Sequence, residues 1–235
     1  DDLKEYELTK PKQHMIWMTS QAGNGDADNA DLLASNADAV SPSWWGDGVA
    51  LCELSDWCSR MPINTGAKII IHDTDHSNLT GASSTMVWKN FTRGNNFGYI
   101  DCYPTLCGFG DATSTRVAMG QTVSYSKKID LVNMTPHLDI SSTTYSLSNP
   151  GKEHLIYQPG TGNFNVNLAS SSSIFNVEWF NPATGVRTDG GSVKGGGTSL
   201  MIPPFVGAAV LWLDIPSSDT VIFKSGIFKN NVIFK

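Results

Sequence analysis

KIIIHDTDH, residues 68 to 76, sets three consecutive isoleucines directly ahead of a cluster of two aspartates and two histidines. A short apolar run bounded by polar residues is the pattern of a strand buried on both faces, as in a parallel sheet covered by helices. Side chains at i and i+2 of a strand point the same way, so Ile71, Asp73 and Asp75 share one face while His72 and Thr74 take the other. Carboxylates on an inward face are costly to bury unless they are paired or solvated in a cleft. The stretch therefore predicts a strand whose C-terminal end sits where α/β sheets bind ligands.

Working outward, HMIWMTS (14–20), ADAVSPS (37–43) and FGYIDCY (97–103) read as three further short strands. DDLKEYELTK reads as the end of a helix stopped by Pro11. TMVWKNFTRG places Val87, Trp88 and Phe91 on one helical face, and TSTRVAMGQTVSYSKKIDL reads as a long closing helix. Strand and helix alternate, which predicts a parallel sheet with helices on its faces. Its C-terminal rim collects Thr19, Ser20 and Gln21, then Ser41, Ser43, Trp44 and Trp45, then Asp73, Asp75 and His76, then Asp101 and Tyr103.

On that rim Asp73 and Asp75 are candidates for nucleophile or general base, with His76 orienting them; the bland reading is that one of them caps the following helix. Trp44 or Trp45 could stack on the apolar C–H face of a sugar ring, but adjacent residues in extended chain point opposite ways, so one at most does so. Gln21, Asp101 and Tyr103 complete the expected substrate-binding set. Trp17 and Trp88 are expected in the core, and His72 is expected to pack away from the rim.

Composition changes near residue 140. Beyond it come short period-two segments separated by Gly, Pro, Asn and Ser: HLIYQPG, then NFNVNLA with Phe164, Val166 and Leu168 on one face, then IFNVEWF with Phe175, Val177 and Trp179 on one face. NPATG reads as a turn and GGSVKGGG as a flexible hairpin tip. The expected fold class is thus α/β over residues 1–140 followed by a small all-β antiparallel sandwich over 141–215. Residues 216–235 repeat an apolar pair ahead of lysine, as VIFK, GIFK and VIFK. They are read as extra edge strands or as a strand offered to another copy of the chain.

With 16 Lys plus Arg against 22 Asp plus Glu and a net charge of −6, the chain has no basic patch for nucleic acid or an anionic membrane. No apolar run approaches the roughly 20 residues of a bilayer span. The charged N-terminus lacks the apolar region of a signal peptide, so a secretion signal is expected to have been removed or to lie upstream. Cys52 and Cys58, then Cys102 and Cys107, suit two disulfides in an oxidising, extracellular compartment, with their pairing open; zinc is the rival reading, on spacings that are not the usual ones. Sequons at Asn78, Asn90 and Asn133 fit a secreted glycoprotein in a eukaryotic host. The G-x-S-x-G serine motif and the zinc-protease, nucleotide-loop and dinucleotide fingerprints are all missing, and neither cofactor nor metal is expected.

KPKQH followed by MTSQ, KIIIHDTDH, VWKNFTRG, IDCYP, MTPH, NPGKEHLIYQPGTGNFNVNL, FNVEWFNPATG and PPF ahead of GAAVLWL together resemble the C-terminal half of an apiosidase-like, bacterial-type glycoside hydrolase family. Its members join a (β/α)8 barrel to a β-sandwich labelled as collagen-binding, and the resemblance runs in order over residues 1 to 215. It implies that the four strands are barrel strands five to eight, with KIIIHDTDH as strand seven. Asp73 is then the first candidate nucleophile and Asp75 the second, in a retaining two-carboxylate mechanism. The acid/base carboxylate would lie on strand four, which precedes this chain. The expected partners are a carbohydrate and either the missing N-terminal barrel half or another copy of the chain. SNLTGASST after His76 departs from the family's Trp- and Gly-rich loop, and Cys102 stands where the family more often has Pro.

Overall fold

The computed structural model describes residues 2–19, 25–42, 63–73, 84–99 and 113–215. Helix α1 (Asp2–Leu8) leads into β1 (Trp17–Thr19), α2 (Gly25–Ala34), β2 (Ala39–Ser41), β3 (Ile69–Asp73), α3 (Ser84–Thr92), β4 (Asn96–Gly98) and α4 (Thr113–Ser126). The four strands form one sheet in the order β1-β2-β3-β4, all parallel. This is the alternation that the sequence predicts. Val40 and Ile70 point to the helix side and pack with Leu32, Leu33 and Ala37 around α2. That helix is absent from the sequence reading because GDADNADLLA carries its apolar pair only at the end, behind a run of Asp and Asn that reads as loop.

A second sheet follows a turn of 3₁₀ helix at Leu131–Asn133. It comprises β5 (Thr135–His137), β6 (Ser146–Asn149), β7 (Glu153–Gln158), β9 (Ile174–Asn181), β10 (Val186–Lys194) and β12 (Ala209–Asp214), in the order β10-β9-β12-β7-β6-β5 and antiparallel throughout. Strands β8 (Phe164–Asn167) and β11 (Thr198–Met201) form a separate antiparallel pair. The antiparallel region thus begins at Thr135, ahead of the expected 141. Pro136 hides β5 in the sequence, and it is tolerated because β5 is an edge strand.

The central strands of the six-stranded sheet are buried on both faces. Phe175, Val177, Trp179, Ile156, Leu211 and Leu213 meet Phe164, Val166 and Leu168 from the β8 side, so the two period-two sets read from sequence form one core. On the opposite face Leu147, Leu155, Tyr157, Phe180 and Val210 pack against Val87, Trp88, Ala118 and Tyr125 of α3 and α4. The α/β unit and the antiparallel unit therefore share a core. Trp88 sits at its centre, its ring centroid 5.6 Å from Tyr125, 6.0 Å from Tyr157 and 5.9 Å from Phe180. Its Nε1–H donates to Gln121 Oε1 at 3.2 Å, and Gln121 donates in turn to the Pro182 carbonyl at 2.9 Å.

Two glycine-rich expectations separate here. NPATG is a turn, with Asn181 Oδ1 accepting from the Ala183 and Thr184 amides and Gly185 at φ 73°. GGSVKGGG is not a flexible tip: Gly190 to Lys194 belong to β10, and the register shifts between Asp189 and Ser192. A Cβ on Gly190 would lie 2.5 Å from Val177 and 2.8 Å from Trp179, so glycine is there for close approach. No helix among the described residues is long and apolar enough to cross a membrane.

Candidate active site at the rim of the parallel sheet

The register of the parallel sheet fixes which residues share a face. Trp17 lies beside Ala39, which lies beside Ile69; Thr19 lies beside Ser41; Ile71 pairs with Asn96 and Asp73 with Gly98. Trp17, Thr19, Ala39, Ser41, Ile69 and Ile71 belong to the face opposite the helices, and Asp73 is the last residue of β3, at its C-terminal rim. Gly98 places no side chain beside it. Among the described residues, an added Cβ there would meet Ile71 and the His72 carbonyl at ordinary contact distances.

His72 faces the other way, as alternation predicts. It is 2% exposed and lies 5.4 Å from the Phe97 ring of β4. The side-chain nitrogen of Asn90, on α3, donates to the Met86 carbonyl at 2.9 Å and makes a 3.0 Å contact with His72 Nδ1. Asn90 is fully buried, and the nitrogen that a glycan would occupy is held inside the helix packing. Asn90 is thus corrected from a glycosylation candidate to a structural residue. Asn133 is exposed, its amide donating to Asp130 at 2.7 Å, and remains sterically accessible.

The opposite end of the sheet carries a different chemistry. Asp38 accepts from the Ile16 amide at 2.8 Å and from the Lys4 ammonium, while Lys68 donates to the Ala37 carbonyl at 2.9 Å and to the Ser35 carbonyl. The Ile16 N–H first, then Lys4, hold the Asp38 carboxyl below the ordinary aspartate range. These charges tie α1 and the chain entering β1 to the strand bottoms, a stabilising role on the face away from ligands.

Trp17 departs from expectation. It is 50% exposed on the Asp73 face, and Ile69 on the same face is 42% exposed. Its burial would require something packed against that face. Trp88, by contrast, is in the core as expected. Gln21, Trp44, Trp45, Asp75, His76, Asp101, Tyr103, Asn78 and the four cysteines lie outside the described residues, as do 216–235. The structure therefore ends β3 at Asp73, level with Gly98 of β4, while Ser41 and Thr19 end the two preceding strands. The sequence reading overlooked Asn90: the signal was a polar residue four positions after Met86 on the otherwise apolar face of α3, masked by its being a sequon.

No family model and no curated protein matches the chain. Solved structures do. A structure titled "Glycoside hydrolase" superposes with a TM-score of 0.55 at 12% identity, over 92% of this chain and 68% of that one. A glycoside hydrolase family 5 structure from Bacteroides vulgatus superposes with a TM-score of 0.54 at 12% identity, over 92% of this chain and 66% of that one. At such identity the likeness establishes fold alone. The chain has a glycoside-hydrolase-like scaffold and spans about two thirds of each of these two structures.

Proposed function

We propose that this chain is part of a secreted glycoside hydrolase that cleaves poly- or oligosaccharides by a retaining two-carboxylate mechanism. The observation that supports the reading is the position of Asp73: the last residue of a parallel strand, at the C-terminal rim of the sheet, in a glycoside-hydrolase-like scaffold. On the resemblance of KIIIHDTDH to barrel strand seven, the four parallel strands are strands five to eight and Asp73 is the nucleophile, with Asp75 the second candidate and His76 orienting it. Trp44 or Trp45 supplies a stacking platform, and Gln21, Asp101 and Tyr103 bind substrate hydroxyls. A retaining reaction needs a second carboxyl roughly 5 Å from the nucleophile to protonate the leaving oxygen and then activate water. That group comes from barrel strands outside this chain. The antiparallel unit acts as an accessory domain, and two disulfides and a glycan on Asn133 suit an extracellular setting.

The test is hydrolysis of a panel of aryl and polymeric glycosides by the intact protein. Asp73→Asn is expected to reduce kcat by several orders of magnitude with folding preserved; undiminished turnover in that variant removes Asp73 as nucleophile.

A second reading is favoured by the exposure of Trp17 and Ile69 on the Asp73 face. In it the chain is a catalytically silent extracellular structural or adhesion protein that assembles through this face and the VIFK segment. Light scattering separates the two: deletion of 216–235 should shrink a large assembly, whereas a monomeric parent excludes it.

A further inference from the structure

Asp73 is the last residue of β3, and its cross-strand partner Gly98 has no side chain to brace it. The described contacts at this strand end lie behind the sheet. His72, one residue earlier, is gripped from two elements. Its cross-strand partner Phe97 tilts against the ring from β4, and Asn90 of α3 meets Nδ1. The same Asn90 nitrogen donates to the Met86 carbonyl, so it presents its second N–H to His72 Nδ1. Acceptance at Nδ1 goes with a proton on Nε2, which is the tautomer the proposal requires.

The two partners also bracket a segment of the chain. His72 precedes, and α3 follows, residues 74–83, which carry Asp75 and His76. One buried hydrogen bond thus joins the strand end to the helix that resumes after that segment. We infer that Asn90, acting through His72, is a positioning residue for the Asp73 rim, fixing the end of β3 from the helix side. The inference builds on the functional reading of Asp73 but is measured without catalysis, so the two can fail separately.

The experiment is amide hydrogen exchange together with imidazole ¹⁵N shifts, on the whole chain. In the parent, His72 should show the Nε2–H tautomer; the Nδ1–H tautomer or a charged ring at pH 7.5 overturns the inference. Asn90→Leu should speed exchange at Asp73 and Gly98 at least tenfold while Leu155, in the antiparallel sheet, changes less than twofold. Uniform acceleration at all three sites marks Asn90 as merely structural, and unchanged exchange at Asp73 marks it as irrelevant to the rim; either result overturns the assignment. Should Asn90→Leu not fold, Asn90→Ser supplies the same comparison: faster exchange at Asp73 and Gly98 than at Leu155 supports the assignment, and uniform or unchanged exchange overturns it. Where hydrolysis is detected, Asn90→Leu is expected to lower kcat and leave KM within twofold.

Discussion

Trp88 of α3 stacks on Tyr157 of β7 with ring centroids 6.0 Å apart and planes inclined by 20°. One ring belongs to the α/β unit and the other to the antiparallel sheet, so this pair joins units that composition alone separates at residue 140. Both residues are essentially without solvent contact. Trp88→Ala removes the stack, the edge contact with Tyr125 and the hydrogen bond to Gln121. A loss of about 3 to 5 kcal/mol is expected. Urea unfolding followed separately by near-ultraviolet and far-ultraviolet circular dichroism should show one coincident transition in the parent, shifted as a whole in the variant.

His154 of β7 faces Phe175 at 5.6 Å in the apolar core, and burial, reinforced by nearby His137, pushes its imidazole down to about 4. An unfolded histidine titrates near 6.5. Between these values the unfolded chain binds more protons than the folded one, so stability rises with pH across the window. The contribution is fully present above about 6.5 and is lost as pH falls through 4, with a total of roughly 3 kcal/mol. Denaturant midpoints at pH 7.5 and 4.5 should differ accordingly, and His154→Leu should flatten that part of the profile. An equal slope in the variant would assign the acid sensitivity to other groups.

Gly195 follows β10 where the chain passes Ser171. A Cβ on it would lie 2.1 Å from the Ser171 carbonyl oxygen, a backbone atom that cannot swing aside. Gly195→Ala is expected to destabilise by about 1 to 3 kcal/mol through overpacking. A Cβ on Gly160 would meet no heavy atom within 4 Å, so Gly160→Ala should stay within about 0.5 kcal/mol of the parent. Thermal melts of the two variants side by side check the contrast.

Thr144 sits at φ 62°, a left-handed conformation that a β-branched residue adopts only under strain, at the end of a turn closed by its amide on the Ser141 carbonyl at 3.0 Å. Thr144→Gly relieves the strain while enlarging the freedom of the unfolded chain. The expected balance is a gain of about 1 kcal/mol, read as a rise in the urea midpoint; a fall would mean that the threonine side chain holds the turn.

The elements legible in the sequence were those whose burial pattern is one-sided or complete. IIIHD announced β3, and Phe164, Val166 and Leu168 with Phe175, Val177 and Trp179 announced facing strands, because period two is imposed by a sheet with a single core on that side. Where local chemistry and packing disagree, the sequence misleads. The Asp and Asn of α2 mimic a loop, and Pro136 disguises an edge strand. The Gly190 and Gly191 pair reads as flexibility where one of its members is a clearance for Trp179. Trp17 was misjudged for another reason: an aromatic residue is buried only if something covers it, and the cover is not a property of the strand that bears it. Near the candidate site, the turn of His72 toward the helices followed from alternation, whereas the Asn90 contact required knowing that α3 docks beside β3.

Among the described residues, the central strands of the six-stranded sheet have no free face: β8 and β11 lie against one side and the helices against the other, so a ligand of this unit would be met at its margins. Among the described residues those margins are the outer backbone edges of β5 and β10, and β10, with its mostly exposed side chains, is the longer one. Recognition there would proceed by adding a strand or gripping a turn, a mode suited to extended chains.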